Sequence, residues 1–140
     1  APVASRLMAW QPEYLINMQR LDAPHLAGDM MAALRPMYFS RNVTPTIVYE
    51  AQRHFTLESA RALLDMTLRL QEGKPVAGAR PLVLGVGDDR IATPHDVRAT
   101  ASVYGVQAII VPGLAHMMML DDDWGQVARP LLDWLATLKA

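Results

Sequence analysis

The spacing of apolar positions divides the chain into two unlike parts near residue 78. In the first part, apolar residues recur every three or four positions and prolines interrupt them, which predicts short helices joined by loops. The predicted helices are 13–21, 25–34 and one that begins at the cap residue Thr56 and ends before Gly73. The polar stretch 71–78, which contains glycine and proline, predicts a linker.

After the linker, continuous apolar runs replace the helical spacing. The runs 81–84 and 107–111 are each bounded by glycine or proline, which is typical of parallel strands buried on both faces. Between them, Thr93 and Pro94 form the start signal of a helix that ends at Gly105. The pattern therefore predicts a strand, a helix and a second strand in succession.

A last helix is predicted over 122–138, where an apolar stripe suits packing on a sheet and Pro130 is expected to cause a kink. The fold class is therefore α/β, with a helical region at 1–78 and a parallel strand-helix-strand-helix unit at 79–140. Two parallel strands leave backbone groups unpaired and apolar surface uncovered, so we expect a partner surface to complete a larger sheet.

Composition and charge narrow the class of protein. With 140 residues, of which 51% are hydrophobic and 19% charged, the chain has the composition of one globular domain. A net charge of -1 argues against nucleic acid and membrane surfaces as partners. The chain contains no cysteine, which favours a cytoplasmic location. Its four histidines are scattered without ligand spacing, so we expect no metal or other cofactor.

The glycines after the first predicted strand raise the question of a nucleotide site. Gly85 and Gly87 match the first two positions of a dinucleotide-binding fingerprint, but Arg90 occupies the third. Asp88 and Asp89 also lie where phosphate charge would sit, and they would repel it. The sequence therefore argues against nucleotide binding.

A catalytic interpretation follows from the topology of the two predicted strands. Loops that follow neighbouring parallel strands emerge at the same carboxyl edge of the sheet, where open α/β sheets place their ligands. The first of these loops carries Asp89, beside Asp88, and the second carries His116. A histidine held by a carboxylate has a fixed tautomer and a stabilised imidazolium, as a general base for an alcohol nucleophile requires.

Several segments of the second half resemble the C-terminal end of an α/β-hydrolase. They are Gly87-Asp88-Asp89-Arg90-Ile91, Val97-Arg98-Ala99-Thr100-Ala101 with Tyr104-Gly105, Val111-Pro112-Gly113-Leu114-Ala115-His116-Met117-Met118-Met119-Leu120, and Leu131-Leu132-Asp133-Trp134-Leu135. The resemblance implies that Asp89 is the acid and His116 the base of a catalytic triad, with Asp88 the competing acid. Residues 1–78 resemble, in kind, the helical cap that the family inserts after its sixth strand, and Ala1 to Ala4 resemble the exit from that strand.

The chain departs from the family pattern at the nucleophile. It contains no Gly-x-Ser-x-Gly elbow, because its four serines lack the flanking glycines, and the oxyanion-hole loop of the family is also missing. These serines are Ser5, Ser40, Ser59 and Ser102. Since triad members act as a unit, we expect the chain by itself to be nearly inert.

The resemblance implies the C-terminal portion of a serine hydrolase that acts on an ester, a lactone or a related acyl substrate. A companion N-terminal segment would supply the nucleophile, and the methionine-rich helices would line an apolar pocket. The resemblance does not separate esterases and lactonases from carbon–carbon hydrolases or from relatives with an aspartate nucleophile. The alternative is an inactive, truncated hydrolase fragment that self-associates and serves as a ligand-binding or interaction module.

Overall fold

The computed structural model describes residues 35–54, 78 and 80–138. The helices predicted at 13–21, at 25–34 and after Thr56 lie outside the described residues, as does the linker apart from Gly78. Residues 35–38 are helical. The elements that follow are α1 (Pro45–Gln52), β1 (Val83–Val86), α2 (Pro94–Val103), β2 (Ala108–Val111), a 3₁₀ helix (Met118–Leu120) and α3 (Gly125–Thr137).

The described residues form a mixed α/β fold with a small parallel sheet. β1 and β2 pair in parallel, with Val83 opposite Ala108 and Val86 opposite Val111, and α2 connects them. The predicted strand-helix-strand unit is therefore confirmed. β1 begins two residues later than predicted, and Pro81 has no N–H group to donate to a ladder.

Helix α2 packs directly on β1 because residue 85 is a glycine. A Cβ atom at Gly85 would lie 2.5 Å from Cγ2 of Val97, which α2 buries against the strand. The start of α2 follows the predicted signal, since Asp96 Oδ2 accepts hydrogen bonds from the backbone N–H (2.9 Å) and the hydroxyl (2.6 Å) of Thr93. The second strand is thereby brought back parallel to the first.

The prediction that both strands are buried on both faces is wrong for part of β2. Val86 and Val111, at the carboxyl ends, are buried, whereas Ile109 is 38% exposed. In the part of the chain that the structure describes, only these two strands form the sheet, so neither has a neighbour on its outer edge. The core, in which Leu114 joins the two valines, therefore lies at the carboxyl edge.

Helix α3 begins at Gly125, three residues later than predicted, because the preceding turn uses its aspartates for side-chain hydrogen bonds. Asp121 Oδ1 accepts from the N–H of Asp123, and Asp122 Oδ2 accepts from the N–H and the hydroxyl of Thr44, both at 2.8 Å. Pro130 lies inside α3, which continues on both sides of it. Among the described residues, no helix is both long and apolar enough to cross a membrane.

Candidate active site

Backbone hydrogen bonds hold together the loops that follow β1 and β2. The N–H of Gly87 donates to the carbonyl of Val111 at 2.8 Å, and the N–H of Asp88 donates to that of Leu114 at 3.0 Å. The loops lie so close that a Cβ atom at residue 87 would be 3.2 Å from Cα of Pro112. Glycine at this position therefore allows the two loops to meet.

The Asp89 side chain is buried and fixed by its own loop. Its Oδ1 atom accepts hydrogen bonds from the backbone N–H groups of Ile91 (2.8 Å) and Ala92 (2.9 Å), and the residue is only 5% exposed. Its Oδ2 atom lies 2.9 Å from Nδ1 of His116. The backbone of the loop thus fixes the carboxylate, and the carboxylate in turn orients the imidazole.

This contact determines what the imidazole can do. When Nδ1 keeps its proton and donates a hydrogen bond to the carboxylate, the neutral ring carries its free lone pair on Nε2. The His116 side chain is 33% exposed, whereas the Asp89 side chain is 4% exposed. The arrangement can therefore accept a proton from a hydroxyl or a water molecule presented to Nε2, and the buried carboxylate can stabilise the imidazolium that forms.

The helical residues at 35–38 contact the other side of the histidine loop. The Tyr38 ring lies edge-on to the His116 ring, with centroids 5.7 Å apart and an interplanar angle of 67°. The carbonyl of Tyr38 also accepts a hydrogen bond from the N–H of Met117 at 2.7 Å. The first half of the chain thus contributes to the position of the imidazole.

The structure distinguishes between the two aspartates that the sequence left in competition. Asp89 is buried and contacts His116, whereas Asp88 is exposed. The contact predicted between the two loops is confirmed. That the pair is catalytic stays a prediction.

Neither of the two serines in the described part of the chain is bonded to His116. Ser102 Oγ donates to the carbonyl of Arg98 on α2. Ser40 is 4% exposed, and its hydroxyl makes no hydrogen bond to any described residue. Neither Ser40 nor Ser102 is therefore in position to act as a nucleophile. Ser5 and Ser59 lie outside the described residues.

Two cavities border the loops that carry Asp89 and His116, and neither could be located from the sequence. The apolar cleft, about 470 Å³, lies between α1 and the segment after His116. It is lined chiefly by Ile47, Ala51, Met117 and Leu120, with Thr46, Glu50 and His54. The arginine cavity, about 560 Å³, is lined by Arg35, Arg41, Arg90, Ser40 and both aspartates, among others. Both cavities join residues far apart in sequence, so no local pattern signals them.

The other histidines lie elsewhere or outside the described residues. His54 is exposed at the end of α1, His95 is exposed with Nδ1 4.0 Å from Asp96, and His25 is not described. Within residues 35–54 and 80–138, no group of three or more histidine, cysteine or acidic side chains could hold a metal ion.

Comparison with protein-family models, with curated proteins and with solved structures finds no match for this chain. The main feature of the site is the contact between the buried Asp89 and the partly exposed His116 at the carboxyl edge of a parallel sheet.

Proposed function

We propose that the chain is the C-terminal portion of a serine-type α/β-hydrolase that acts on an ester, a lactone or a related acyl substrate. The observation that carries the proposal is the 2.9 Å contact between Asp89 Oδ2 and His116 Nδ1. A buried carboxylate on Nδ1 of a partly exposed histidine is the acid-base half of a catalytic triad. The two residues also occur in the chain order of that family, acid before histidine.

In the proposed mechanism, the nucleophile is a serine from a segment outside these 140 residues. As its oxygen attacks the carbonyl carbon of the substrate, its proton moves to Nε2 of His116, and Asp89 stabilises the imidazolium. The tetrahedral intermediate collapses to an acyl-enzyme, and the same proton passes to the departing alcohol. Water then attacks the acyl-enzyme with the same assistance, which releases the acid and restores the serine.

The apolar cleft supports an acyl substrate. Met117, the residue after His116, is one of its walls, and Ile47 and Ala51 of α1 form another. A cavity of about 470 Å³ with mostly apolar walls favours a hydrocarbon chain or ring over a strongly polar group. An acyl group bound there would place its carbonyl carbon close to the histidine loop.

The proposal includes a partial α/β-hydrolase fold, with residues 1–78 as its cap and 79–140 as the end of its core. It is supported by the free edges of the described two-stranded sheet, which a companion N-terminal segment would cover. The exposed apolar residues on α3 also support a companion segment, because such a surface is typical of an interaction site. Because the chain has no cysteine, we place the protein in the cytoplasm as part of the same proposal.

A second candidate function rests on one observation. The 140 residues contain no Gly-x-Ser-x-Gly elbow, so a self-associated form of this chain would keep the acid and the base but would have no activated nucleophile. Such a form would be an inactive oligomer that binds ligands or partners through its cavities.

Hydrolysis of p-nitrophenyl butyrate by the full protein, with any companion segment bound, tests the first candidate. His116→Ala and Asp89→Asn should each lower kcat/KM by roughly 10³- to 10⁴-fold, because the base or its tautomer is lost. The matched controls are His95→Ala, whose side chain is 89% exposed, and Asp123→Asn, an exposed aspartate in the turn before α3 that lines neither cavity. Activity that survives His116→Ala, or that falls equally in the controls, would overturn the proposal.

A further inference from the structure

Three arginine side chains that have no acidic partner among the described residues line the arginine cavity. Arg35, Arg41 and Arg90 face a space of about 560 Å³, and none of them forms an ion pair with any residue in the described ranges. Arg35 is partly buried and donates only a long hydrogen bond, 3.5 Å, to the carbonyl of Val43. The guanidinium groups therefore keep most of their donors for a ligand.

Ser40 gives an independent sign of a ligand in the same cavity. Its hydroxyl is buried, and it finds no hydrogen-bond partner among the residues described. Buried polar atoms in folded proteins are almost always bonded, so one without a partner needs an explanation. Ser40 lines the cavity although its Oγ atom is covered, so a rotation of the side chain about χ1 would let the hydroxyl donate to a ligand oxygen there.

The balance of charge around the cavity selects the kind of ligand. Three arginines against two aspartates leave a net formal charge of +1. The Asp89 carboxylate already accepts hydrogen bonds from two N–H groups and from His116, so it has little capacity left to bind a cation. A group with one negative charge matches this balance, whereas a phosphate dianion would face an uncompensated excess of negative charge.

We propose that the arginine cavity binds a carboxylate carried by the substrate, held by the arginines and by the hydroxyl of Ser40. The inference rests on the proposed function and makes its substrate class narrower: an acyl compound with one free carboxylate, such as the half-ester of a dicarboxylic acid. Asp89, the acid of the pair, and Ala115, the residue before His116, line the same cavity. The carboxylate would thus anchor the substrate next to His116.

Isothermal titration of the unmodified protein with hexanoate and with hexanamide tests the inference without any turnover. The two ligands have nearly the same shape and differ in charge, so the carboxylate should bind at least roughly 10-fold more tightly. Ser40→Ala and Arg41→Gln should each weaken hexanoate binding by roughly 10-fold. Ser102→Ala and Arg98→Gln, which change the same residue types on α2, should leave it within about twofold of the original.

Equal affinity for hexanoate and hexanamide would overturn the inference without the need for any variant. Unchanged hexanoate binding by Ser40→Ala would also overturn it, and inorganic phosphate that binds more tightly than hexanoate would refute the preference for a single charge. A different result would overturn the proposed function, namely ester hydrolysis that is unaffected by His116→Ala. Hexanoate binding that depends on Ser40 would support the carboxylate site even then.

Discussion

Two neighbouring aspartates with the same charge lie in different environments in the loop after β1. Asp88 remains exposed, while Asp89 is buried with three donors around its carboxylate. Residue types and topology could predict that the loop meets His116. They could not settle which carboxylate is buried, because that depends on backbone hydrogen bonds from Ile91 and Ala92 that form only in the folded loop.

Asp89→Asn is expected to destabilise the protein as well as to impair catalysis. An amide has one oxygen where the carboxylate has two. Either the two backbone N–H groups or His116 Nδ1 therefore loses its acceptor, which lowers the free energy of unfolding by about 1–3 kcal/mol. Urea denaturation measures this loss. Asp88→Asn is the control and should change the free energy of unfolding by no more than about 0.5 kcal/mol; an equal loss in both variants would contradict the structural role given to Asp89.

The elements predicted from local signals in the described part of the chain are all found there, whereas α1 and the 3₁₀ helix are found without having been predicted. The Thr93 and Pro94 start of α2 and the apolar runs of β1 and β2 depend on residues within a few positions of each other. Contacts between distant segments could not be predicted in this way. Thr44 and Asp122 are 78 positions apart, and nothing near either residue indicates that they bond.

The contact between α2 and β1 predicts a specific coupling between two residues. A methyl group at Gly85 would overlap Cγ2 of Val97, a stiff β-branched side chain, so Gly85→Ala should destabilise the protein by about 1–3 kcal/mol. Adding Val97→Ala removes the overlap. In thermal or urea unfolding, the double variant should therefore be more stable than the sum of the two single changes predicts; simple additivity would argue against this packing.

The bond from Asp122 to Thr44 predicts a local effect on α1. Because Asp122 Oδ2 accepts from both the N–H and the hydroxyl at the start of this helix, Asp122→Ala should cost about 1 kcal/mol. Amide hydrogen exchange in α1, which forms one wall of the apolar cleft, should become roughly fivefold faster. Asp123→Ala, in the same exposed turn, should leave exchange in α1 unchanged; equal acceleration would refute the role of Asp122.

For the molecule as a whole, the described residues leave a large apolar surface on α3. Leu131, Leu132, Leu135 and Leu138 are between 41% and 64% exposed, and within the described residues no further strand pairs with either edge of the neighbouring sheet. The sequence predicted the apolar stripe of this helix. It could not predict how much of the stripe the chain covers, because that depends on which other surfaces pack against it.

If the proposed companion segment completes the sheet, we expect this helix to be part of its interface. Leu132, at 64% exposure, is the most exposed leucine of the stripe, and a charge buried there without a partner would weaken association by at least roughly 10-fold. Sedimentation velocity of Leu132→Glu should show this loss. Gln126→Glu adds the same charge to an exposed position of the same helix and should associate normally; normal association of Leu132→Glu would contradict an interface here.

The most direct test of the acid-base assignment is intact-mass spectrometry under denaturing conditions after treatment with a fluorophosphonate probe. The protein and its His116→Ala variant are compared, because such probes react only with an activated serine. We predict a single label on a serine outside residues 1–140, present in the unmodified protein and lost in the variant. A label that persists in His116→Ala, a label on Ser40 or Ser102, or no label at all would contradict the role of Asp89 and His116 in activating a nucleophile.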